Sequence, residues 1–198
     1  MIYLVLHGET EWNRQRRFQG RLDSPLTSEG LEQARQVGRT LAHLVRDAST
    51  CRIISSPLGR SRRTAEIVCE AMGVPIERLS LDARLMEIDL GSWAGLTREE
   101  VEAKWPRPLA GANRYDWYFR SPDGEPLETA SARLREWLSD TDRNDATAIA
   151  VSHGVASRIL RGLYANIPMG DALALEVSRD VVFKLADGII QRIQCQTD

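Results

Sequence analysis

Two of the three histidines share one local sequence context. His7 and His153 each follow a short apolar run with the pattern of a buried strand, and each precedes a glycine. Ligands of open parallel sheets bind beyond the carboxyl ends of the strands, and glycine there lets the backbone approach an oxyanion closely. The two histidines therefore predict one shared site. His43 lies within a predicted helix beside apolar residues, and we interpret it as an ordinary packed or solvated side chain.

Arg60 and Glu87 are further candidates for this site. Arg60 follows a predicted strand and begins a helix, whose N-terminus favours an anion and to which the guanidinium adds a two-pronged donor. A surface position on that helix is the alternative, since Arg62 and Arg63 follow it. Glu87 also lies near a strand end, where it is a candidate general acid. A helix-capping or ion-paired carboxylate is the alternative for Glu87.

Alternating strand and helix patterns would position these residues. Short apolar runs predict strands, and apolar residues at the helical period predict helices. Strands are predicted at residues 2–6, 52–55, 146–151, 173–177, 181–186 and 189–193, and helices at 28–45, 58–72 and 155–164. An Asp187-Gly188 turn joins the last two strands as a hairpin. This order predicts an α/β three-layer sandwich with a mainly parallel central sheet and helices on both faces.

Residues 88–145 interrupt this alternation. The stretch contains four of the five tryptophans and four of the eight prolines. We interpret residues 92–126 as a lid-like insertion that covers the site, and a packed loop region is the alternative. The length of 198 residues otherwise predicts a single domain, spanning residues 1–198.

Composition argues against several classes of function. The net charge of −2 gives no general attraction to nucleic acid, and no apolar run is long enough to span a membrane. The first six residues lack the basic lead of a signal peptide. Because the three cysteines are widely spaced, we expect a cytoplasmic protein with reduced thiols and no bound metal. Lys104 and Lys184 are the only lysines among 26 basic residues, so a phosphate site would depend on arginine.

Several short motifs occur in order along nearly the whole chain. They are residues 6–13 (Leu-His-Gly-Glu-Thr-Glu-Trp-Asn), 17–20, 23–30, 55–60 with Thr64-Ala65, Glu87 with residues 91–95, and 152–154 (Ser-His-Gly). With these motifs the chain resembles the histidine phosphatase superfamily, in its phosphoglycerate mutase-like branch. The motifs of a cysteine phosphatase, a P-loop and a Gly-x-Ser-x-Gly hydrolase are absent from the sequence.

The resemblance implies a mechanism without a cofactor or a metal. His7 would attack the phosphorus of a small phosphorylated substrate and form a phosphohistidine, while His153 and Arg60 hold the phosphoryl oxygens. Glu87 would protonate the leaving alcohol and then assist hydrolysis of the phosphoenzyme. The positions that line the family's pocket correspond to Asn13, Gln19, Gly20 and the amide of Gly154.

One position departs from the family pattern. The superfamily motif is Arg-His-Gly, but Leu6 precedes His7 here and removes a guanidinium that normally binds the phosphoryl group. Without compensation, its loss would reduce the rate by about 10²-fold or more. Five arginines near the matched motifs are candidates to replace it: Arg14, Arg16, Arg17, Arg21 and Arg63.

The sequence is compatible with three functions. The first, which we expect, is a phosphatase that hydrolyses a small phosphomonoester. The second is a catalytically weak relative that binds a phosphorylated ligand or a protein partner, and Leu6 is the motivation for it. The third is a phosphoglycerate mutase, which would have to retain a bisphosphorylated intermediate in a closed, strongly basic pocket.

Overall fold

Six short strands form one central sheet. The computed structural model describes residues 1–109, 115–142 and 146–196. The strands are β1 (Ile2–Leu6), β2 (Arg52–Ser55), β3 (Leu79–Leu81), β4 (Ala148–Ser152), β5 (Val181–Ala186) and β6 (Ile189–Gln194). Their order across the sheet is β3-β2-β4-β1-β5-β6. The first four strands are parallel, β5 is antiparallel to β1, and β6 is antiparallel to β5.

Helices connect most of the strands. In the described ranges they are α1 (Glu11–Arg14), α2 (Ser28–Leu44), α3 (Gly59–Met72), α4 (Arg98–Lys104), α5 (Pro106–Leu109), α6 (Leu127–Asp142), α7 (Gly154–Tyr164) and α8 (Met169–Ala172). α2 begins after Thr27, whose hydroxyl accepts from the N–H of Gly30 as an N-cap. None of the helices in these ranges is both long and apolar enough to cross a bilayer.

Alternate residues of β1 and β4 pack on opposite faces of the sheet. Tyr3 and Val5 belong to an apolar cluster with α2 and α3, whereas Ile2 and Leu4 belong to a second cluster with α6 and α7. Because both faces are covered, these strands appear in the sequence as continuous apolar runs. The predicted α/β three-layer sandwich, with a mainly parallel sheet and helices on both faces, is therefore confirmed.

Most of the predicted elements are present, with ends displaced by at most two residues. Asp187 and Gly188 form the predicted turn between β5 and β6, with φ values of 53° and 73°. β3 is absent from the prediction, because three residues at the edge of the sheet, two of them exposed, give no apolar run.

The predicted strand at residues 173–177 is wrong. This segment runs without a regular element from α8 toward β5. Arg158 Nε donates to the carbonyl of Leu175, and Arg161 Nη2 donates to the carbonyl of Glu176, both at 2.6 Å. Side chains of α7 thus bind carbonyl groups that a strand would offer to a neighbouring strand.

The stretch 92–126 includes α4, α5 and a 3-10 turn at Trp117–Arg120, while residues 110–114 lie outside the described ranges. Trp93 and Trp117 are buried in the cluster that also contains α6 and α7. Its buried tryptophans therefore contribute to the core on that face of the sheet.

Two glycines allow the backbone after His7 to lie directly against the start of α2. A Cβ on Gly30 would lie 2.0 Å from the carbonyl oxygen of Glu9, and a Cβ on Gly8 would lie 2.2 Å from the carbonyl oxygen of Gly30. Both contacts are with backbone atoms, so a side chain at either position would have to displace the chain next to His7.

We predict that Gly30→Ala lowers the free energy of unfolding by about 1–3 kcal/mol, because the added methyl group overpacks this backbone contact. Gly170→Ala is the control, since nothing lies within 4 Å of a Cβ at that position. Urea denaturation of both variants measures the difference. A Gly30→Ala protein as stable as the wild type would contradict the close packing.

Candidate active site

The carboxyl ends of parallel strands bring the two candidate histidines together. β1 and β4 are adjacent, with Leu6 opposite Ser152, so His7 and His153 leave the sheet side by side. The centroids of their rings are 5.2 Å apart. β2 lies on the other side of β4 and leads into α3, which carries Arg60 in its first turn. The sheet order therefore places three predicted side chains at one edge.

His7 is held as one neutral tautomer. Its Nδ1 lies 2.7 Å from the carbonyl oxygen of Gly8, and its Nε2 lies 3.2 Å from Arg60 Nε, which can only donate. The proton is therefore on Nδ1, and Nε2 presents its lone pair. Burial lowers the pKa of His7 well below its usual 6.5, and the charges of Arg60 and Arg179 lower it further, while the hydrogen bond to Gly8 opposes the shift. Near pH 7 the ring is a neutral base or nucleophile.

The guanidinium of Arg60 connects His7 to the loop after α1. Its Nη1 donates to the carbonyl of Leu22 at 2.7 Å and to Asp23 Oδ1 at 2.8 Å, and its Nη2 donates to the carbonyl of Gly20 at 2.8 Å. With the bond to His7, four of its five N–H groups are used. Arg60 is 2% exposed, which rules out the surface position considered as the alternative.

His153 is fully buried behind His7. Its Nε2 lies 2.8 Å from the hydroxyl oxygen of Ser56, and its Nδ1 has no hydrogen-bond partner among the described residues. Burial lowers the pKa of His153 well below 6.5, and the charges of Arg60, His7 and Arg133 act in the same direction. His153 is therefore also neutral near pH 7.

Glu87 caps the N-terminus of α7. Its Oε1 accepts from the N–H groups of Ile88 and Ala156 at 3.0 Å each, and its Oε2 accepts from the N–H of Val155 at 3.1 Å. The capping alternative is thus correct as a description of its hydrogen bonds. The same residue lines the pocket that contains His7, so the capping bonds also fix the carboxylate relative to the histidine.

A pocket of about 190 Å³ opens at His7. Every residue predicted for the site contributes to its wall except the buried His153. The contributing residues are His7, Asn13, Gln19, Gly20, Arg60, Glu87 and Gly154. A larger, open depression of about 1080 Å³ near α6 and the end of α7 contains none of these residues. The predicted residues are thus collected in one place, which is not the largest concavity of the surface.

Two amide side chains of the pocket differ in their surroundings. Asn13 Oδ1 accepts from the main-chain N–H and the hydroxyl of Thr10, so this residue also closes the first turn of α1. Gln19 Oε1 is buried without a hydrogen-bond partner in the described part of the chain. A donor group of a bound ligand would therefore find a free acceptor in Gln19 Oε1.

Several pocket residues were not among those predicted for the site. The rings of Phe18, Trp117 and Tyr118 contact one another, with centroids 4.3 Å and 4.1 Å apart in successive pairs, and all three line the pocket. Clustering of tryptophans in the stretch 92–126 was the available signal for Trp117. Arg179, which precedes β5, also lines the pocket, and no motif in the sequence marks it.

Five arginines were considered as sources of the guanidinium that Leu6 removes. None of them provides an unpaired positive charge in the pocket. Arg17 lines the pocket, but its Nη1 donates to Glu100 and to the carbonyl of Gly95, both at 2.8 Å. Arg21 is paired with two carboxylates. The other three candidates are exposed: Arg14, Arg16 and Arg63.

Comparison with known proteins gives consistent matches. A sequence profile of the histidine phosphatase superfamily (branch 1) matches residues 2–185. The chain is 40% identical over 172 residues to a Citrobacter koseri protein named "Probable phosphoglycerate mutase GpmB", with 84% of this chain and 75% of that protein covered. A Salmonella arizonae protein of the same name is 39% identical over 174 residues, with the same coverage.

Solved structures share the fold. The mycobacterial glucosyl-3-phosphoglycerate phosphatase in complex with VO3 superposes with a TM-score of 0.75 at 26% identity, covering 98% of this chain and 96% of that chain. The alpha-ribazole phosphatase from Shigella flexneri superposes with a TM-score of 0.79 at 20% identity, covering 99% and 96%. The second similarity, at such low identity, shows the fold alone.

The buried histidines make stability depend on pH. The folded-state pKa values of His7 and His153 lie below 6.5, so below about pH 6.5 the unfolded chain binds more protons than the folded chain. We predict that the free energy of unfolding decreases as the pH falls in this range, by up to about 1.4 kcal/mol per pH unit for each histidine. Urea denaturation between about pH 7.5 and pH 5.5 measures the slope, and His7→Gln should reduce it. An equal slope in variant and wild type would contradict a buried, neutral His7.

Proposed function

The chain belongs to the histidine phosphatase superfamily (branch 1), and we propose that it hydrolyses a small phosphomonoester through a phosphohistidine formed on His7. The observation that carries this proposal is the neutral ring of His7, whose Nε2 accepts from Arg60 in the wall of the pocket. A phosphoryl group bound there would meet a nucleophile and a positive charge together, as phosphoryl transfer requires. The free cysteines are compatible with the expected cytoplasmic location.

In the first step, the hydrogen bond from Arg60 Nε to His7 Nε2 breaks. The freed lone pair of Nε2 then attacks phosphorus opposite the leaving alcohol oxygen. The N–P bond forms while the P–O bond breaks, and the protonated carboxyl group of Glu87 transfers its proton to the leaving oxygen. The hydrogen bond from Nδ1 to the Gly8 carbonyl keeps the ring oriented and stabilises the charge that it gains.

In the second step, water hydrolyses the phosphohistidine. The Glu87 carboxylate accepts a proton from the water while the water oxygen attacks phosphorus, and the breaking N–P bond returns its electron pair to Nε2. The remaining N–H of Arg60 would bind a phosphoryl oxygen in both steps. The buried, unpartnered Nδ1 of His153 would bind another after its ring shifts into the pocket. Further polar groups of the wall would complete the binding of the substrate: Asn13, Gln19, Gly20 and the amide of Gly154.

The composition of the wall favours a substrate with an uncharged alcohol part. Six residues of the wall are apolar or aromatic: Phe18, Ile88, Leu90, Trp117, Tyr118 and Val155. Arg17, the basic residue next to Phe18, is already paired with Glu100 at 2.8 Å. Apart from Arg179, the wall therefore offers little free positive charge to a second anionic group on the substrate.

A phosphoglycerate mutase is the second candidate, because relatives at 40% and 39% identity carry that name. Such an enzyme would have to hold a carboxylate and retain a bisphosphorylated intermediate. Arg17 and Arg60 both have carboxylate partners within 2.8 Å, which favours hydrolysis over retention of a second phosphate.

Product analysis distinguishes the two candidates. We predict that the protein releases inorganic phosphate from p-nitrophenyl phosphate and forms no 2-phosphoglycerate from isotopically labelled 3-phosphoglycerate. Transfer of the label to the second hydroxyl would establish the mutase instead. Binding of inorganic phosphate without turnover of either ester would identify the catalytically weak relative.

We predict that His7→Gln lowers kcat by about 10³-fold or more, because it removes the nucleophile. Wild-type protein that is quenched in alkaline detergent after mixing with ³²P-labelled substrate should carry acid-labile, alkali-stable phosphate, and the variant should carry none. His43→Gln is the matched control, since His43 is exposed near the end of α2. Undiminished turnover in His7→Gln would rule out the assigned nucleophile.

A further inference from the structure

Arg179 reaches the carboxyl edge of the sheet from the beginning of a strand. It precedes β5, which runs antiparallel to β1 with Phe183 opposite Leu4. The residues before β5 therefore lie at the same edge as the residues after β1. Arg179 lines the pocket together with His7 and Arg60, and its charge helps to lower the pKa of His7.

The guanidinium of Arg179 lacks the carboxylate partner that the guanidinium groups of Arg17 and Arg60 have in the described part of the chain. Arg17 binds Glu100 and Arg60 binds Asp23, each at 2.8 Å. Within the described residues Arg179 has no ion pair or hydrogen bond of its side chain, and its Nε is buried without a partner. Burying such donors costs free energy, which an anionic ligand would offset.

One carboxylate influences Arg179 from outside the pocket. Burial lowers the pKa of Arg179, and the negative charge of Glu9 raises it. The Glu9 carboxylate itself accepts from the hydroxyl of Thr27 at 2.9 Å. Glu9 therefore favours the protonated guanidinium and leaves its N–H groups available to a ligand.

A phosphoryl group at His7 needs more donors than Arg60 supplies. Four of the five N–H groups of Arg60 already bind His7 and the loop after α1. Leu6 is 3% exposed and lies outside the pocket wall. A transferring phosphoryl group spreads its negative charge over three oxygens. A second guanidinium would neutralise the part of this charge that Arg60 does not.

We propose that Arg179 is this second guanidinium and binds the transferring phosphoryl group beside His7. The inference rests on the proposed phosphatase function, because it assigns Arg179 to that reaction. Its Nε and one Nη would donate to phosphoryl oxygens. The positive charge missing at position 6 is then supplied by the segment just before β5, the antiparallel neighbour of β1.

Arg179→Met tests the proposal, because it removes the charge and keeps most of the side-chain volume. We predict that kcat/KM for p-nitrophenyl phosphate falls by about 10- to 100-fold and that the affinity for vanadate weakens by a similar factor. Arg179→Lys keeps the charge and should retain part of both. Arg192→Met is the control, since Arg192 is exposed and pairs with Glu176 outside the pocket.

The titration of His7, followed by NMR, separates a charge effect from a structural effect. Loss of the Arg179 charge should move the pKa of His7 up toward 6.5, and Arg179→Lys should restore the lower value. Arg60, His153 and Glu87 also face this ring, and both variants leave them unchanged. A substitution that merely loosened the fold would not produce opposite results for Lys and Met.

The outcomes separate this inference from the function on which it rests. Wild-type kcat/KM and vanadate affinity in a folded Arg179→Met protein would overturn the role of Arg179, and His7-dependent hydrolysis would still support the phosphatase. If the wild type hydrolyses no phosphomonoester but vanadate binding weakens in Arg179→Met, the phosphatase fails and Arg179 remains an anion-binding residue. Should Arg179→Met not fold, the uncharged variant Arg179→Gln decides by the same two measurements.

Discussion

The buried guanidinium of Arg60 is the contact on which the rest of the site depends. It joins the first turn of α3 to the carbonyls of Gly20 and Leu22, to Asp23 and to the ring of His7. These groups come from three separate segments, and their hydrogen bonds fix the segments relative to one another. Without Asp23 the guanidinium would be a buried charge lacking its carboxylate partner. The same contact therefore maintains the local fold and directs the lone pair of Nε2.

Local patterns in the sequence were sufficient to predict most of the helices and strands. They were also sufficient to predict the part of the site that the two histidines form. Apolar runs and the Asp187-Gly188 turn depend on neighbouring residues, so β1, β4 and the β5-β6 hairpin could be predicted. The proximity of His7 and His153 could also be predicted, because parallel strands present their carboxyl ends at one edge of the sheet. Arg60 and Glu87 required the resemblance to a family as well, since each had a credible alternative as a surface or capping residue.

The rest depends on contacts between distant segments. Arg179 lies in the pocket because β5 is antiparallel to β1, and no local pattern reveals the direction of a strand. The segment at 173–177 has strand-like composition, but arginines of α7 bind its carbonyls. Leu6 by itself indicates a weakened phosphate site, because it replaces the arginine of the superfamily motif. We propose that Arg179, which precedes β5, supplies the positive charge that is absent at position 6.

A crystal structure of the protein with vanadate tests the central claim most directly, because vanadate imitates the phosphoryl group during transfer. Covalent catalysis by a neutral, Nδ1-protonated His7 predicts vanadium bonded to Nε2 of that residue. It also predicts vanadate oxygens within hydrogen-bond distance of Arg60, His153 and Arg179. Vanadium bonded to another residue, or bound in the pocket without contact to Nε2 of His7, would contradict the claim.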